Sequence, residues 1–374
     1  MDRDKIFEQR KSDFAAQASK LNRQNNFYST VRVVLFLAGL ALFIYLANAR
    51  SGIGVGVTVL VFPFVFGVLI NIHNRIGRKL QITKNLERVN EAERKKLHGD
   101  LKSFEAGSDF LMPKHAYAKD IDVFGRNSLF QLVNRANTPT GKETVAEWLT
   151  QTSTLTEIKE RQLAVKELAD QLEWRQNFEA LGLSNTTNIV DVKSILGWIN
   201  EPNKLKYDKL AKVLAVVLPL VIITMIAFNI FTDFNYYYTV GVAVINGLIL
   251  KRYALLVTDI TESTSKGYKA LKSYGDLIAI IEQTRFKSTY LQQQQKVFNS
   301  EHFSASRSIL QLQRILEFLN GRGNMFYIIL NILFLFDIHL LLKAERWKRE
   351  KHENVNQWFD NIGSFEAINS LAGL

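Results

Sequence analysis

Two long, almost uncharged apolar runs, Val33 to Ala49 and Ile53 to Ile72, constrain this chain more than anything else in it. Each has about the length that crosses a bilayer as a helix. The link between them, Arg50-Ser-Gly52, is too short to do more than reverse the chain. A hairpin buried in a soluble domain would keep a polar face on each run, whereas both faces of both runs are apolar. The sequence therefore predicts a transmembrane hairpin over 31–73. Arg75, Arg78 and Lys79 follow at once and the preceding segment is also basic, which puts both ends on the cytoplasmic side by the positive-inside rule.

A second pair of runs, Val213 to Phe231 and Tyr236 to Leu250, repeats the pattern within 209–252. Thr232-Asp233-Phe234-Asn235 joins them, and the second run is short for a span. Tyr236, Tyr237 and Tyr238 make an interfacial belt. Lys209 and Lys212 anchor one inner end and Lys251-Arg252 the other. Four spans with cytoplasmic termini is the simplest topology.

The rest reads as helix. Residues 1–30 are polar and of mixed charge, too acidic for a signal peptide, and predict a cytoplasmic amphipathic helix or a disordered lead. Within 74–119, Leu80 to Phe104 carries apolar residues at helical spacing, followed by a connector. In 120–208, Gly125 tolerates a positive φ, and Asn127 or Ser128 can cap a short helix. Asn137-Thr-Pro-Thr-Gly141 ends it with a turn, and a second helix follows through Trp148. Thr156 to Leu181 predicts one amphipathic helix with Trp174 as a core anchor, and Asn185 to Thr187 a loop. In 253–374, one or two long helices run to Phe298, and Phe303 to Leu319 makes another that stops at Asn320-Gly-Arg-Gly323. Met325 to Leu342 is apolar enough to span, but Asp337 and His339 lie inside it, and a crossing would strand the basic tail Lys343 to Lys351 outside. It is read as a buried core helix. The fold class is all-α: a multi-helix core and lever domain with two transmembrane hairpins.

Composition excludes several chemistries. There is no cysteine, so thiolate nucleophiles and cysteine-ligated metals are ruled out. The histidines at 73, 98, 115, 302, 339 and 352 form no metal-ligand spacing. The nearest approach to a phosphate loop is Thr140-Gly-Lys-Glu143, which lacks the first glycine and the magnesium-holding hydroxyl, so Lys142 is not assigned to nucleotide. Glu157 with Glu160, and Glu87, Glu91 and Glu93, read as exposed helix charge. Asp337 and His339, two residues apart, fall on different helix faces. No catalytic, cofactor-binding or metal-ligating residue is assigned. The net charge of +11 points to a polyanion, either nucleic acid or an anionic membrane face.

Two blocks carry a family likeness. Ser128-Leu-Phe-Gln-Leu132, Asn134-Arg135, Thr138, Gly141 and Trp148-Leu149 continue into Glu157-Ile158, Glu160-Arg-Gln162, Ala164-Val165, Glu167-Leu168 and Arg175-Gln176. The second block is Leu335-Phe-Asp337, Glu345-Arg-Trp-Lys348, Trp358, Phe365-Glu-Ala367 and Ser370-Leu-Ala372. Together they resemble the core domain of the mismatch-repair ATPase (MutS) family over about a third of the chain. A transmembrane hairpin stands where that family has its mismatch-reading domain, and the second stands near its DNA clamp. The resemblance implies a core and lever module without catalysis of its own, in a plasma (bacterial inner) membrane. ATP and Mg are expected only for an ATPase domain, which in that family would begin about where Ala372-Gly-Leu374 ends, or for an ATPase subunit in trans. Implied partners are the lipid bilayer, a second copy of the chain, that ATPase, and DNA bound weakly and without specificity. No small-molecule substrate is implied. The alternative is a non-catalytic membrane scaffold or adaptor that binds proteins.

Overall fold

A computed structural model gives the fold and describes residues 2–112, 115–184, 189–205, 209–232, 235–300, 303–322 and 325–374. The loop read at Asn185 to Thr187, Asp233 and Phe234 of the second turn, His302 and Gly323 lie outside them. The helices are α1 (Arg3–Asn48), α2 (Gly52–Leu97), α3 (Leu129–Val133), α4 (Pro139–Thr150), α5 (Leu155–Ala169), α6 (Leu172–Gly182) and α7 (Ile189–Asn200). They continue as α8 (Lys209–Phe231), α9 (Tyr236–Thr264), α10 (Tyr268–Gln283), α11 (Thr289–Lys296), α12 (Ala305–Asn320), α13 (Met325–Phe334) and α14 (Phe336–Ala372). Among the described residues, β-structure is confined to a two-residue antiparallel pair, Asn299–Ser300 with Phe303–Ser304. The chain is all-α. Among the described residues four helices, α1, α2, α8 and α9, are long and apolar enough to cross a membrane.

The chain divides into two units. The first comprises residues 1–106 and 173–184 and is built on the α1–α2 hairpin. Arg50, at φ 51°, turns the chain, and the Ser51 hydroxyl caps α2 by accepting from the Gly54 amide at 3.3 Å. Each helix has 46 residues, about 70 Å of rise, against roughly 30 Å of hydrocarbon. The polar lead and the first span are therefore one helix, as are the second span and the amphipathic stretch to Leu97. Gly39 of α1 packs against the Phe62 ring of α2; a β-carbon there would overlap the ring. Outside the apolar stretches the hairpin is held by polar contacts. Lys11 pairs with Glu91 at 2.6 Å and Arg94 with Asp4 at 3.0 Å. Asn90 and Gln176 of α6 exchange amide bonds at 2.9 and 3.2 Å, and Arg10 donates to Gln176 at 2.9 Å.

The second unit, residues 107–172 and 185–374, holds the larger core. Phe124, Phe130, Val133, Val145 and Ala146 form one cluster under α4 with Ala367 of α14. Gly125 takes φ 109°, and of the two candidate caps Ser128 makes the capping box with Gln131. Gly141 makes no turn: α4 begins at Pro139, and Thr138 caps it through the Gly141 amide at 3.0 Å. Trp358, Phe359 and Phe365 of α14 are fully buried, with the Phe359 ring stacked on Tyr274 at 4.0 Å.

Three expectations are corrected. Thr156 to Leu181 is two helices, because α5 closes at Asp170, where the Gln171 amide turns back to the Leu168 carbonyl. The second run of the second hairpin is not short, since α9 continues to Thr264. Met325 to Leu342 is not one buried core helix. It breaks at Leu335, which takes φ 49°, and the pair bends by 81° in the manner of a broken span or re-entrant loop. Ile328, Ile329 and Leu330 of α13 are about half exposed, as a lipid-facing surface would be.

The contact at Gly39 sets how closely α1 and α2 approach. Gly39→Leu is expected to destabilise the hairpin by about 1–3 kcal/mol through overpacking. Thermal unfolding in detergent checks this; an unchanged midpoint would remove Gly39 from the interface.

Candidate functional site

Helix α14 has 37 residues, about 55 Å of rise, with no proline and one glycine, Gly363. Chemically distinctive groups gather at its two ends and its middle. They lie on one element because each answers a local need of the backbone packed against it.

At the C-terminal end the group is Glu366. Pro139 holds Thr138 extended at the start of α4, leaving amides that α4 cannot satisfy. Glu366 Oε1 accepts from the Asn137 amide at 2.8 Å and the Thr138 amide at 3.2 Å, while Oε2 meets the Thr138 hydroxyl. A β-carbon at Gly141 would overlap this carboxylate, and one at Gly363 would lie 2.6 Å from the Thr144 hydroxyl oxygen. Glycine at both positions is what lets α4 and α14 close on each other. Beside them the Arg135 amide donates to the Ser370 hydroxyl at 2.9 Å. Its guanidinium donates to the Val133 carbonyl at 2.8 Å and to those of Ser370 and Gly373 at 3.2 and 3.1 Å. Complete burial pushes the Glu366 carboxyl up to about 7, against the pull of the Thr138 hydroxyl and the two amides.

At the N-terminal end the break at Leu335 frees backbone groups. The Ile332 carbonyl loses its partner four residues on and instead accepts from Asn246 Nδ2 of α9 at 2.8 Å. The Asp337 amide donates to Asn331 Oδ1 at 2.9 Å, and Asn331 Nδ2 donates to Asp337 Oδ2 at 2.8 Å. The Tyr327 hydroxyl donates to Asp337 Oδ1, and Arg322 Nη1 stands 3.8 Å from Oδ2. The Asp337 carboxylate thus closes the corner between α13 and α14. His339, its neighbour in sequence, takes no part in this cluster.

In the middle, Glu345 Oε2 accepts from the Lys204 amide at 3.1 Å, and Asn203 donates to the Glu345 carbonyl at 3.1 Å. Lys348 Nζ sits 4.9 Å over the ring of Trp198. Burial moves Glu345 above the usual carboxylate range and Lys348 below the usual lysine range, each partly offset by the other's charge.

The arrangement's carboxylates are engaged with backbone, hydroxyl and amide groups of the protein itself. Lys142 stands on α4 beside Glu366, and the amides of Asn137, Thr138 and Gly141 are already taken by Glu366 and Thr138. Glu157 is used in the capping box of α5, its carboxylate accepting from the Thr154 amide at 3.1 Å. Glu91 pairs with Lys11. Among the described residues no three His, Asp or Glu side chains are grouped to hold a metal ion. The sequence assigns no site residue: it sets Asp337 only against His339, and it shows Glu366 only as part of the family likeness. The available signal was a lone acid in each of two apolar runs, Phe365-Glu-Ala367 and Leu335-Phe-Asp337. No protein-family model, curated protein or solved structure matches the chain.

The Glu366 carboxyl keeps its proton to about pH 7 in the fold but loses it near its ordinary 4.5 when unfolded. The folded state binds more protons between those values, so stability falls as pH rises through that window and levels off above it. The total is at most roughly 3 kcal/mol. Glu366→Gln is expected to flatten the dependence between pH 5 and 8. Glu366→Ala is expected to cost about 2–4 kcal/mol by stranding the Asn137 and Thr138 amides. Denaturant unfolding in detergent across that range checks both; a wild-type slope in Glu366→Gln would assign the dependence to another group.

Proposed function

We propose that the chain is a membrane-anchored core and lever module of the mismatch-repair ATPase (MutS) type, coupling an ATPase domain or subunit to the membrane helices. The observation that carries this reading is α14. One unbroken helix joins the Asp337 corner, beside the apolar helices α8, α9 and α13, to the Glu366 junction under α4, roughly 44 Å away along its axis. A stiff element clamped by buried polar groups at both ends moves as a body, which is what transmission needs.

The two sequence blocks that resemble that family also meet here. Arg135 and Thr138 of the first block contact Ser370 and Glu366 of the second across more than 220 residues of chain. The transducing site is therefore the clasp of α4 on α14, with Glu366, Thr138, Arg135 and Gly141 as positioning residues. In this reading both hairpins cross with their ends in the cytoplasm, which the basic residues flanking the apolar runs support. DNA, where it is met, is held by phosphate contacts alone.

Two experiments test this. The chain purified from membranes in mild detergent is expected to carry ATPase activity only when the ATPase domain or subunit accompanies it. Glu353→Pro, at an exposed position in mid-α14, is expected to abolish the response of that activity to added lipid while leaving membrane insertion intact. An unaffected response would sink the lever. Matched and mismatched duplexes are expected to bind with equal, steeply salt-dependent affinity. A tenfold preference for the mismatch, about 1.4 kcal/mol, would restore a repair role.

Topology has its own check. Single cysteines at Gly52 and Asn235 should label from outside the cell, and those at Ser12, Asn137 and Ser364 only after the membrane is opened. Labelling of Ser364 from outside would mean that the bent α13–α14 pair crosses.

A further inference from the structure

Helices α12 and α14 lie side by side and leave a groove of about 620 Å³ between them. Its walls are two helical stripes: Arg307, Gln311, Arg314 and Phe318 on α12 face Phe336, Leu340, Lys343 and Trp347 on α14, with Arg346, Glu350 and Lys351 at the rim. Both stripes follow the spacing of one helix face. The floor is anchored, since the buried Trp347 donates its indole N–H to the Ser308 carbonyl at 2.7 Å.

Two features of the groove point to its occupant. The first is charge. Five cationic side chains face one carboxylate. Among the described residues Arg307, Arg314, Lys343 and Arg346 have no ion-pair partner, although the chain has acidic residues to supply one. Like charges set across a groove repel unless an anion enters it.

The second is polarity along the axis. One end is aromatic: the rings of Phe318 and Phe336 meet edge to face at 5.7 Å, and Tyr327 of α13 meets Phe336 at 5.7 Å. That end adjoins the corner where α13 presents Ile328, Ile329 and Leu330 outward, and α13 packs on α8 and α9. The cationic groups lie further along α14, toward Lys351. A ligand that matches both ends carries a hydrocarbon part beside Phe318 and Leu340 and an anionic head among Arg314, Lys343 and Arg346. The membrane in which α8 and α9 sit supplies such molecules.

We propose that this groove is a binding site for an anionic phospholipid of the surrounding bilayer, with the phosphate held between Arg314 and Lys343 and an acyl chain along Phe318 and Leu340. The positive-inside rule accounts for basic residues near a membrane, but not for cations converging across a groove with an aromatic end. The site lies on the lever itself, so occupancy by lipid ties the first half of α14 to α12. The inference needs only the groove and the membrane helices, and stands apart from the ATPase coupling proposed above.

The test uses the full chain in detergent and a fluorescent phosphatidylglycerol, followed by anisotropy. Binding is expected to weaken at least tenfold in Arg314→Gln/Lys343→Gln and to return in the charge-keeping Arg314→Lys/Lys343→Arg. Arg75→Gln/Lys79→Gln, which removes the same charge near the first hairpin, is expected to leave it unchanged. Phosphatidylcholine should compete poorly, and inorganic phosphate should not compete at millimolar concentration. Wild-type binding in the glutamine double variant would overturn the proposal, as would failure of the charge-keeping variant to restore it. Displacement of the lipid by inorganic phosphate alone would reassign the groove to free anions. Displacement by an acidic peptide or by DNA at lower concentration than by phosphatidylglycerol would reassign it to that macromolecule.

Discussion

A backbone polar group with no water near it must find a partner inside the protein, and most of this structure follows from that demand. It makes the apolar runs helical along their whole length. It also explains both acids on α14. Where α4 begins, Pro139 leaves the amides of Asn137 and Thr138 outside the helical ladder, and Glu366 reaches across to take them. Where α13 ends, the bend at Leu335 cancels a turn of helix bonding, and Asn331, Asp337 and Asn246 replace it from side chains. Each carboxylate stands where the backbone has run out of partners.

The two sites solve the same problem at different dielectric cost. Glu366 is fully buried, and desolvation outweighs the hydrogen bonds it accepts, so the neutral acid persists to about pH 7. As a neutral acid it still accepts the amide bonds through Oε1. Asp337 has Arg322 at 3.8 Å as well as Tyr327 and Asn331. Arg322 lies within 3.4–3.5 Å of the Thr258 and Thr261 hydroxyls, beyond the apolar part of α9. That placement keeps an ion pair at the edge of the apolar region instead of its centre, where it would cost several kcal/mol more.

Hydrophobic length and continuity were legible in the sequence, because a helix long and apolar enough to cross a membrane needs an uninterrupted apolar run. The hairpin at Arg50-Ser-Gly52 and the cap at Ser128 follow from local rules that tertiary packing did not override. The break at Leu335 was not legible. Leucine at positive φ has no local signal, and the bend is stabilised by Asn246, some 90 residues earlier in sequence. Asp337 does not pair with His339, two residues on; its partners are Tyr327, ten residues back, and Asn331, six back. Gly141 misled for a different reason. In sequence it reads as turn chemistry, whereas its use is steric, admitting the carboxylate of a residue 225 positions later. Sites built from long-range contacts leave only a faint trace, here a single acid in an apolar run.

The same geometry limits where α14 can give way. A helix of 37 residues without proline bends gently at most, so any displacement concentrates at its ends. The Leu335 corner has side chains in place of regular backbone bonds, so fewer backbone bonds hold its angle. The Glu366 junction cannot slide without a clash, because Gly141 and Gly363 bring the helices so close. In the middle, Lys204 and Asn203 hold Glu345, which ties the turn after α7 to α14. In the lever proposed above, motion at the α4 end would be rigid-body, and the corner beside α8 and α9 would convert it to a change of angle. The groove between α12 and α14 opens next to that corner, so lipid bound as proposed would sit where the angle is set.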